Sequence, residues 1–102
     1  MIHVLYLDDE SHNLTAFRAA FRRDFHVHVT TEPTEAVQLL KDHPIEVVIS
    51  DQKMPALSGV EFFEMIMSDF PDPTRMLLTG HADIDAVIDA INKGQIYKYI
   101  SK

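Results

Sequence analysis

Ile2-His3-Val4-Leu5-Tyr6-Leu7, followed at once by Asp8-Asp9-Glu10, is the stretch that decides the fold. Six mostly apolar residues with no sustained polar alternation suit a strand buried on both faces, as in the middle of a parallel sheet. The abrupt change to carboxylates marks where that strand ends. A second run, Glu46-Val47-Val48-Ile49-Ser50, repeats the arrangement and stops on Asp51.

Between these runs the spacing of apolar residues changes period. Leu14, Phe17, Ala20 and Phe21 recur at helical spacing opposite Arg18, Arg22 and Arg23, with Ser11 placed to cap the helix. Phe25, Val27 and Val29 then alternate with His26, His28 and Thr30, a strand with one wet face that suits a sheet edge. A short helix is expected from about Pro33 to Asp42, with Thr31 as cap, Pro33 in the first turn, and Val37 and Leu40 inward.

Beyond the loop Gln52 to Ser58, the positions Val60, Phe63, Ile66 and Met67 predict a third helix, closed off by Pro71 and Pro73. Arg75 to Thr79 reads as a fourth strand. Asp83 is placed to cap a fourth helix with Ile84, Val87, Ile88 and Ile91 on one face and Gly94 at its end, before a fifth strand from Ile96 to Ile100. The methionines at 54, 65, 67 and 76 read as core or loop packing. Strands alternating with helices imply right-handed crossovers and an α/β, doubly wound, five-stranded parallel sheet with helices on both faces.

Length and composition agree with one such unit. The 102 residues suffice for one hydrophobic core and not two, and 46% apolar with 25% charged residues is ordinary for a globular chain. No apolar run approaches the roughly 20 residues of a membrane span. The absence of cysteine removes disulfides, thiolate metal sites and thiol nucleophiles, and fits a cytoplasmic location. A net charge of −7 with only nine Lys and Arg argues against direct nucleic-acid binding by this segment.

In doubly wound sheets ligands bind beyond the carboxyl ends of the strands. Here that rim collects Asp8, Asp9, Asp51, Thr79 and Lys102. Taken singly, each has a bland explanation: Asp is common in turns, a threonine packs or caps, and a lysine is solvated. Together the three carboxylates would repel one another unless a cation offset them. An all-oxygen set suits Mg²⁺, which takes a few carboxylates together with water and phosphate oxygens, better than it suits zinc. His26 and His28 have the i, i+2 spacing of a chelate on a strand, but read as a solvated strand face with no assigned function.

Leu7-Asp8-Asp9-Glu10, Asp51-Gln52-Lys53-Met54-Pro55 with Gly59, Thr79-Gly80, and Tyr99-Ile100-Ser101-Lys102 together resemble the receiver domain of two-component response regulators over essentially the whole chain. The resemblance implies strand order 2-1-3-4-5. It implies that Asp51 is the phosphoacceptor and that Asp8, Asp9, Asp51 and the Lys53 backbone carbonyl hold Mg²⁺, with Mn²⁺ as a substitute. Thr79 and Lys102 would stabilise the phosphoryl group, and Thr79 with Tyr99 would form the switch. Tyr97, on the same strand, has no matching role. Lys53 and His81 occupy positions that tune dephosphorylation in this family.

The resemblance also implies a sensor histidine kinase or phosphotransfer protein as donor, an output domain beyond residue 102, and a homodimer through the output surface. Receiver domains continue past this lysine into a fifth helix, so the segment 1–102 is expected to lack it and to leave an apolar patch on one sheet face. Two alternatives stand beside this reading. An aspartate-nucleophile phosphatase of the haloacid-dehalogenase type would show Asp-x-Asp after its first strand, whereas here the aspartates are adjacent. A pseudo-receiver, acting as a phosphorylation-independent dimerisation or binding module, would typically lose the acceptor, the lysine or the acidic pair.

Overall fold

The computed structural model describes residues 1–79 and 88 and the backbone of residues 98–101. Chain order gives β1 (His3–Leu7), α1 (Ser11–Phe21), β2 (His26–Thr30), α2 (Pro33–Asp42), β3 (Ile45–Asp51), α3 (Gly59–Ile66), β4 (Thr74–Thr79) and β5 (Lys98–Ser101). The five strands form one parallel sheet in the order β2-β1-β3-β4-β5. The first strand is thus interior and β2 is an edge, as their apolar patterns require. The predicted fourth helix, with Asp83, Ile84, Val87, Ile91 and Gly94, lies outside the described residues; Ile88 alone is described there, helical and exposed.

Alternate residues of β1 serve two separate cores. Leu5 and Leu7 point toward α2 and α3, where they join Ala36, Leu40, Val48, Phe62, Phe63, Ile66 and Leu77. Val4 and Tyr6 point the other way and pack with Leu14 of α1 and Ile49 of β3. Phe62 is fully buried beside Phe63, although the helical spacing alone picks out only Phe63. Met65, expected in the packing, is instead 52% exposed on the outer side of α3, because Phe62, Phe63 and Ile66 already fill the inner face.

Among the described residues the α1 side of the sheet is less fully covered. Val4, Phe17, Phe21, Ile49, Met76 and Leu78 line an apolar groove of about 410 Å³, and Phe21 is 40% exposed.

Two helix starts differ from expectation. Ser11 is the first residue of α1 rather than its cap, and Thr31 does not cap α2; Glu10 and Glu32 hold the N-cap positions without side-chain capping bonds. In both places the residue two before the cap takes over. Asp8 Oδ1 accepts from the Glu10 backbone N–H at 2.9 Å, and Thr30 Oγ1 accepts from that of Glu32 at 3.0 Å. These short side-chain-to-backbone turns set the entry of each helix directly from the strand end. At α3, by contrast, Ser58 and Glu61 form a reciprocal capping box, worth about 1 kcal/mol.

Candidate functional site

Asp8 follows the last residue of β1 and is fully buried. A buried carboxylate must be held by donors, and side-chain and backbone groups around Asp8 do so. The Tyr6 hydroxyl donates to Asp8 Oδ2 at 2.6 Å, the Asn13 amide donates to the same oxygen at 3.1 Å, and the Glu10 N–H occupies Oδ1. Burial pushes the Tyr6 hydroxyl far above its ordinary range, reinforced by the bond to Asp8, so the phenol stays a donor. Tyr6 and Asn13 were not legible as site residues, because their convergence depends on the strand-to-helix geometry.

Asp9 lies on the open side of the rim and is exposed. Its carboxyl is nonetheless pushed upward, first by desolvation against the site, then by a hydrogen bond with Asp8 and the negative charges of Asp8 and Asp51. A backbone hydrogen bond works in the opposite direction. Asp51 is the last residue of β3 and only 3% exposed. Carboxylate oxygens of Asp8, Asp9 and Asp51 all lie within 4.8 Å of one another.

This donor set fits a hard divalent cation. It offers oxygen atoms only, carries three negative charges when ionised, and has one member open to solvent. Beside it, Asp9, Thr31, Glu32, Met54, Pro55 and Leu57 help line a cleft of about 300 Å³, which gives the acidic rim access to solvent.

Asp51 is held from behind by its neighbour. The Gln52 N–H donates to the Leu78 carbonyl at 2.8 Å, tying the end of β3 to β4. The Gln52 carbonyl accepts from the Gly59 N–H, and its side-chain oxygen accepts from the Val60 N–H, both at 3.0 Å. One residue therefore fixes Asp51 to β4 and to the start of α3. Gly59 is required there by space: a Cβ would stand 2.5 Å from Leu77 Cδ1 and 2.6 Å from the Asp51 carbonyl oxygen. Gly59 entered the sequence reading only as part of a family pattern; the close approach explains it physically.

Thr79 ends β4 and is 1% exposed. Asp51 pairs with Leu78 across β3 and β4, so Thr79 stands one residue further toward the same rim. Lys53 lies two residues past Asp51 with an exposed side chain. The backbone of Tyr99 pairs with Leu77, and that of Ser101 with Thr79. The Tyr99 side chain, Tyr97, His81 and Lys102 lie outside the described residues.

Known proteins resemble this chain in sequence and fold. The family model described as the response regulator receiver domain matches residues 4–102. The hydrogenase transcriptional regulatory protein HoxA of Bradyrhizobium diazoefficiens is 35% identical over 99 residues, covering 97% of this chain and 20% of that protein. The C4-dicarboxylate transport transcriptional regulatory protein DctD of Rhizobium meliloti is 37% identical over 78 residues, 76% of this chain and 17% of its own length. This chain thus spans about a fifth of the length of these relatives. Among solved structures, a response regulator receiver domain protein from Clostridium thermocellum superposes with a TM-score of 0.91 at 31% identity, covering 100% of this chain and 82% of that one. With the sheet order, the acidic rim and the family match in agreement, the chain belongs to the response regulator receiver domain family of two-component signalling.

Proposed function

We propose that Asp51 accepts a phosphoryl group and that the resulting change at the rim is the signal this chain transmits. The convergence of the Asp8, Asp9 and Asp51 carboxylates within 4.8 Å at the ends of β1 and β3 supports this reading above all else. A receiver domain is not an enzyme in itself; its chemistry is to assist its own phosphorylation and dephosphorylation.

Asp8, Asp9, Asp51 and the Lys53 backbone carbonyl would hold Mg²⁺, or Mn²⁺ in its place. The ion supplies charge neutralisation between the carboxylates and an incoming phosphoryl group. The chain's own residues do the rest. Asp51 presents a carboxylate oxygen as nucleophile from a backbone anchored by Gln52. In the transfer, a new O–P bond forms at that oxygen while the donor's bond to phosphorus breaks, and the donor's leaving group departs with the electron pair. Thr79 offers a hydroxyl donor and Lys102 a positive charge to the transferred group. Reorientation of Thr79, followed by Tyr99, carries the change to the β4–β5 side of the sheet.

The donor is a sensor histidine kinase or a phosphotransfer protein, and an output beyond residue 102 receives the signal in the cytoplasm. The names of the relatives, transcriptional regulatory proteins, support an output that acts on transcription. A homodimer through the output surface belongs to the same reading. No helix among the described residues is long and apolar enough to cross a membrane. The pseudo-receiver alternative loses weight because the acceptor and the acidic pair are both present and brought together.

With Mg²⁺ and a small acyl phosphate donor, the chain should gain a single phosphoryl mass increment, and a chelator should abolish it. No increment, or one indifferent to chelation, would rule this function out.

Lys53 and His81 set the lifetime of the aspartyl phosphate in this reading, by bordering the approach of the hydrolysing water. Lys53→Ala and His81→Ala should each change the dephosphorylation rate several-fold, measured as loss of the mass increment with time; unchanged rates would remove both residues from that role.

A further inference from the structure

Four of the chain's six histidines, His3, His26, His28 and His43, gather at the opposite end of the sheet from the acidic rim. His3 opens β1, while Asp8 follows its far end, about 16 Å away at 3.3 Å per residue. In the parallel register His3 pairs with His26 and Leu5 with His28, so these three imidazoles share the α2 side of the sheet. His43, the C-cap of α2, closes over them. Sequence spacing alone shows only the His26 and His28 pair on an edge strand; the fold adds a residue from β1 and another from a helix end.

We propose that His3, His28 and His43 form a binding site for a late first-row divalent metal ion of the zinc class, separate from the acidic site. Their ring nitrogens all lie within 4.8 Å of one another, and His3 Nδ1 stands 3.0 Å from His28 Nε2. Two nitrogens on a tetrahedral zinc at 2.0–2.1 Å are about 3.3–3.4 Å apart, close to the His3–His28 spacing, and His43 lies within reach of the same point. His43 packs against His28 with ring centroids 4.3 Å apart, and His26 stacks on His3 at 4.4 Å, which limits the freedom of the ligand rings.

All three ligands are half-buried, which favours neutral imidazole, the form that binds metal. Desolvation lowers the His3 pKa, aided by His26, His43 and the amino terminus and opposed by Glu46. Desolvation likewise lowers that of His28, aided by His43, His3, His26 and Arg18. The carboxyl end of α2, at His43, adds the negative end of a helix dipole, which suits a cation. Ligand softness separates the two sites: imidazoles prefer zinc-class ions and the carboxylates of the rim prefer Mg²⁺. Three protein ligands leave a fourth position for water.

The test is a Zn²⁺ titration of the metal-free full chain in excess Mg²⁺, read by competition with a chromophoric chelator. One Zn²⁺ per chain is expected. His43→Gln and His28→Gln should each weaken it by about 100-fold or more, beyond the usual effect of an outer-shell partner, and Asp51→Asn should leave it unchanged. Retained affinity in both histidine variants, or loss in Asp51→Asn, overturns the proposal. Co²⁺ absorption of the unsubstituted chain gives a readout that needs no variant. An intense tetrahedral band is expected, and a weak octahedral spectrum speaks against the site.

Discussion

Asp51→Asn should end phosphoryl incorporation while leaving the fold intact. The substitution keeps the shape of a side chain that is only 3% exposed at the end of β3, so neither cavity nor overpacking follows. What changes is chemistry. An amide nitrogen or oxygen does not displace a leaving group from phosphorus as a carboxylate oxygen does, so no acyl phosphate forms. The rim also drops from three carboxylates to two, and affinity for Mg²⁺ should fall by about tenfold or more. Intact-mass analysis after incubation with Mg²⁺ and a small acyl phosphate provides the check, with far-ultraviolet circular dichroism showing the fold retained. A phosphoryl increment that survives in Asp51→Asn would move the acceptor elsewhere and break the proposed assignment.

Gly59→Ala carries the second large effect, and it acts on stability and function together. The added methyl would meet Leu77 Cδ1 at 2.5 Å, the Asp51 carbonyl oxygen at 2.6 Å and Ser50 Oγ at 3.1 Å. Leu77 is fully buried in the core beneath α3, and the carbonyl belongs to the backbone of β3, so neither has free space to retreat into. Alanine's helix preference over glycine is about 1 kcal/mol at most in a helix interior, and smaller at the first residue of α3. Overpacking of this kind costs about 1–3 kcal/mol. A net loss of about 2 kcal/mol is expected, lowering the thermal midpoint by on the order of 10 °C for a chain of this size. Relief of the clash moves α3 away from β3 or shifts Asp51 itself. With Asp51 as the proposed acceptor, displacing its carboxylate by about 1 Å would slow phosphoryl incorporation by about 10²-fold. A thermal midpoint equal to that of the parent chain would show that the helix start yields more easily than the spacing implies.

The parts of this fold legible in the sequence were those governed by local periodicity. Val4, Leu5, Tyr6 and Leu7 form an unbroken apolar run because β1 is covered on both faces, whereas Val27 and Val29 alternate with histidines because β2 is an edge. The ends of those runs located the carboxylates. Less legible were features that depend on two elements meeting. Ser11 and Thr31 are good capping residues by type, yet Asp8 and Thr30 set the helix starts because a strand end lies two residues upstream. The Ser58 and Glu61 capping box was present in the sequence as Ser-x-x-Glu, and its signal was open to reading. Tyr6 and Asn13 on Asp8, and the His3, His28 and His43 group, arise from register and helix placement, which composition and spacing do not encode.

The double attachment of Gln52 has a consequence for how the loop above the rim behaves. Its carbonyl and side-chain oxygen bind the N–H groups of Gly59 and Val60, so the segment between Gln52 and Gly59 is a ring closed at its base. The entropy of closing such a ring rises only logarithmically with its length, by about 0.6 kcal/mol for each doubling. Residues added near Pro55 or Ala56 would therefore enlarge the ring without pulling on Asp51. Asp51 sits outside that ring, and the wall of the neighbouring cleft, which includes Met54, Pro55, Ala56 and Leu57, sits inside it. Asp51 thus stands just before a closed ring whose outer part, around Pro55 and Ala56, forms an adjustable wall of the cleft.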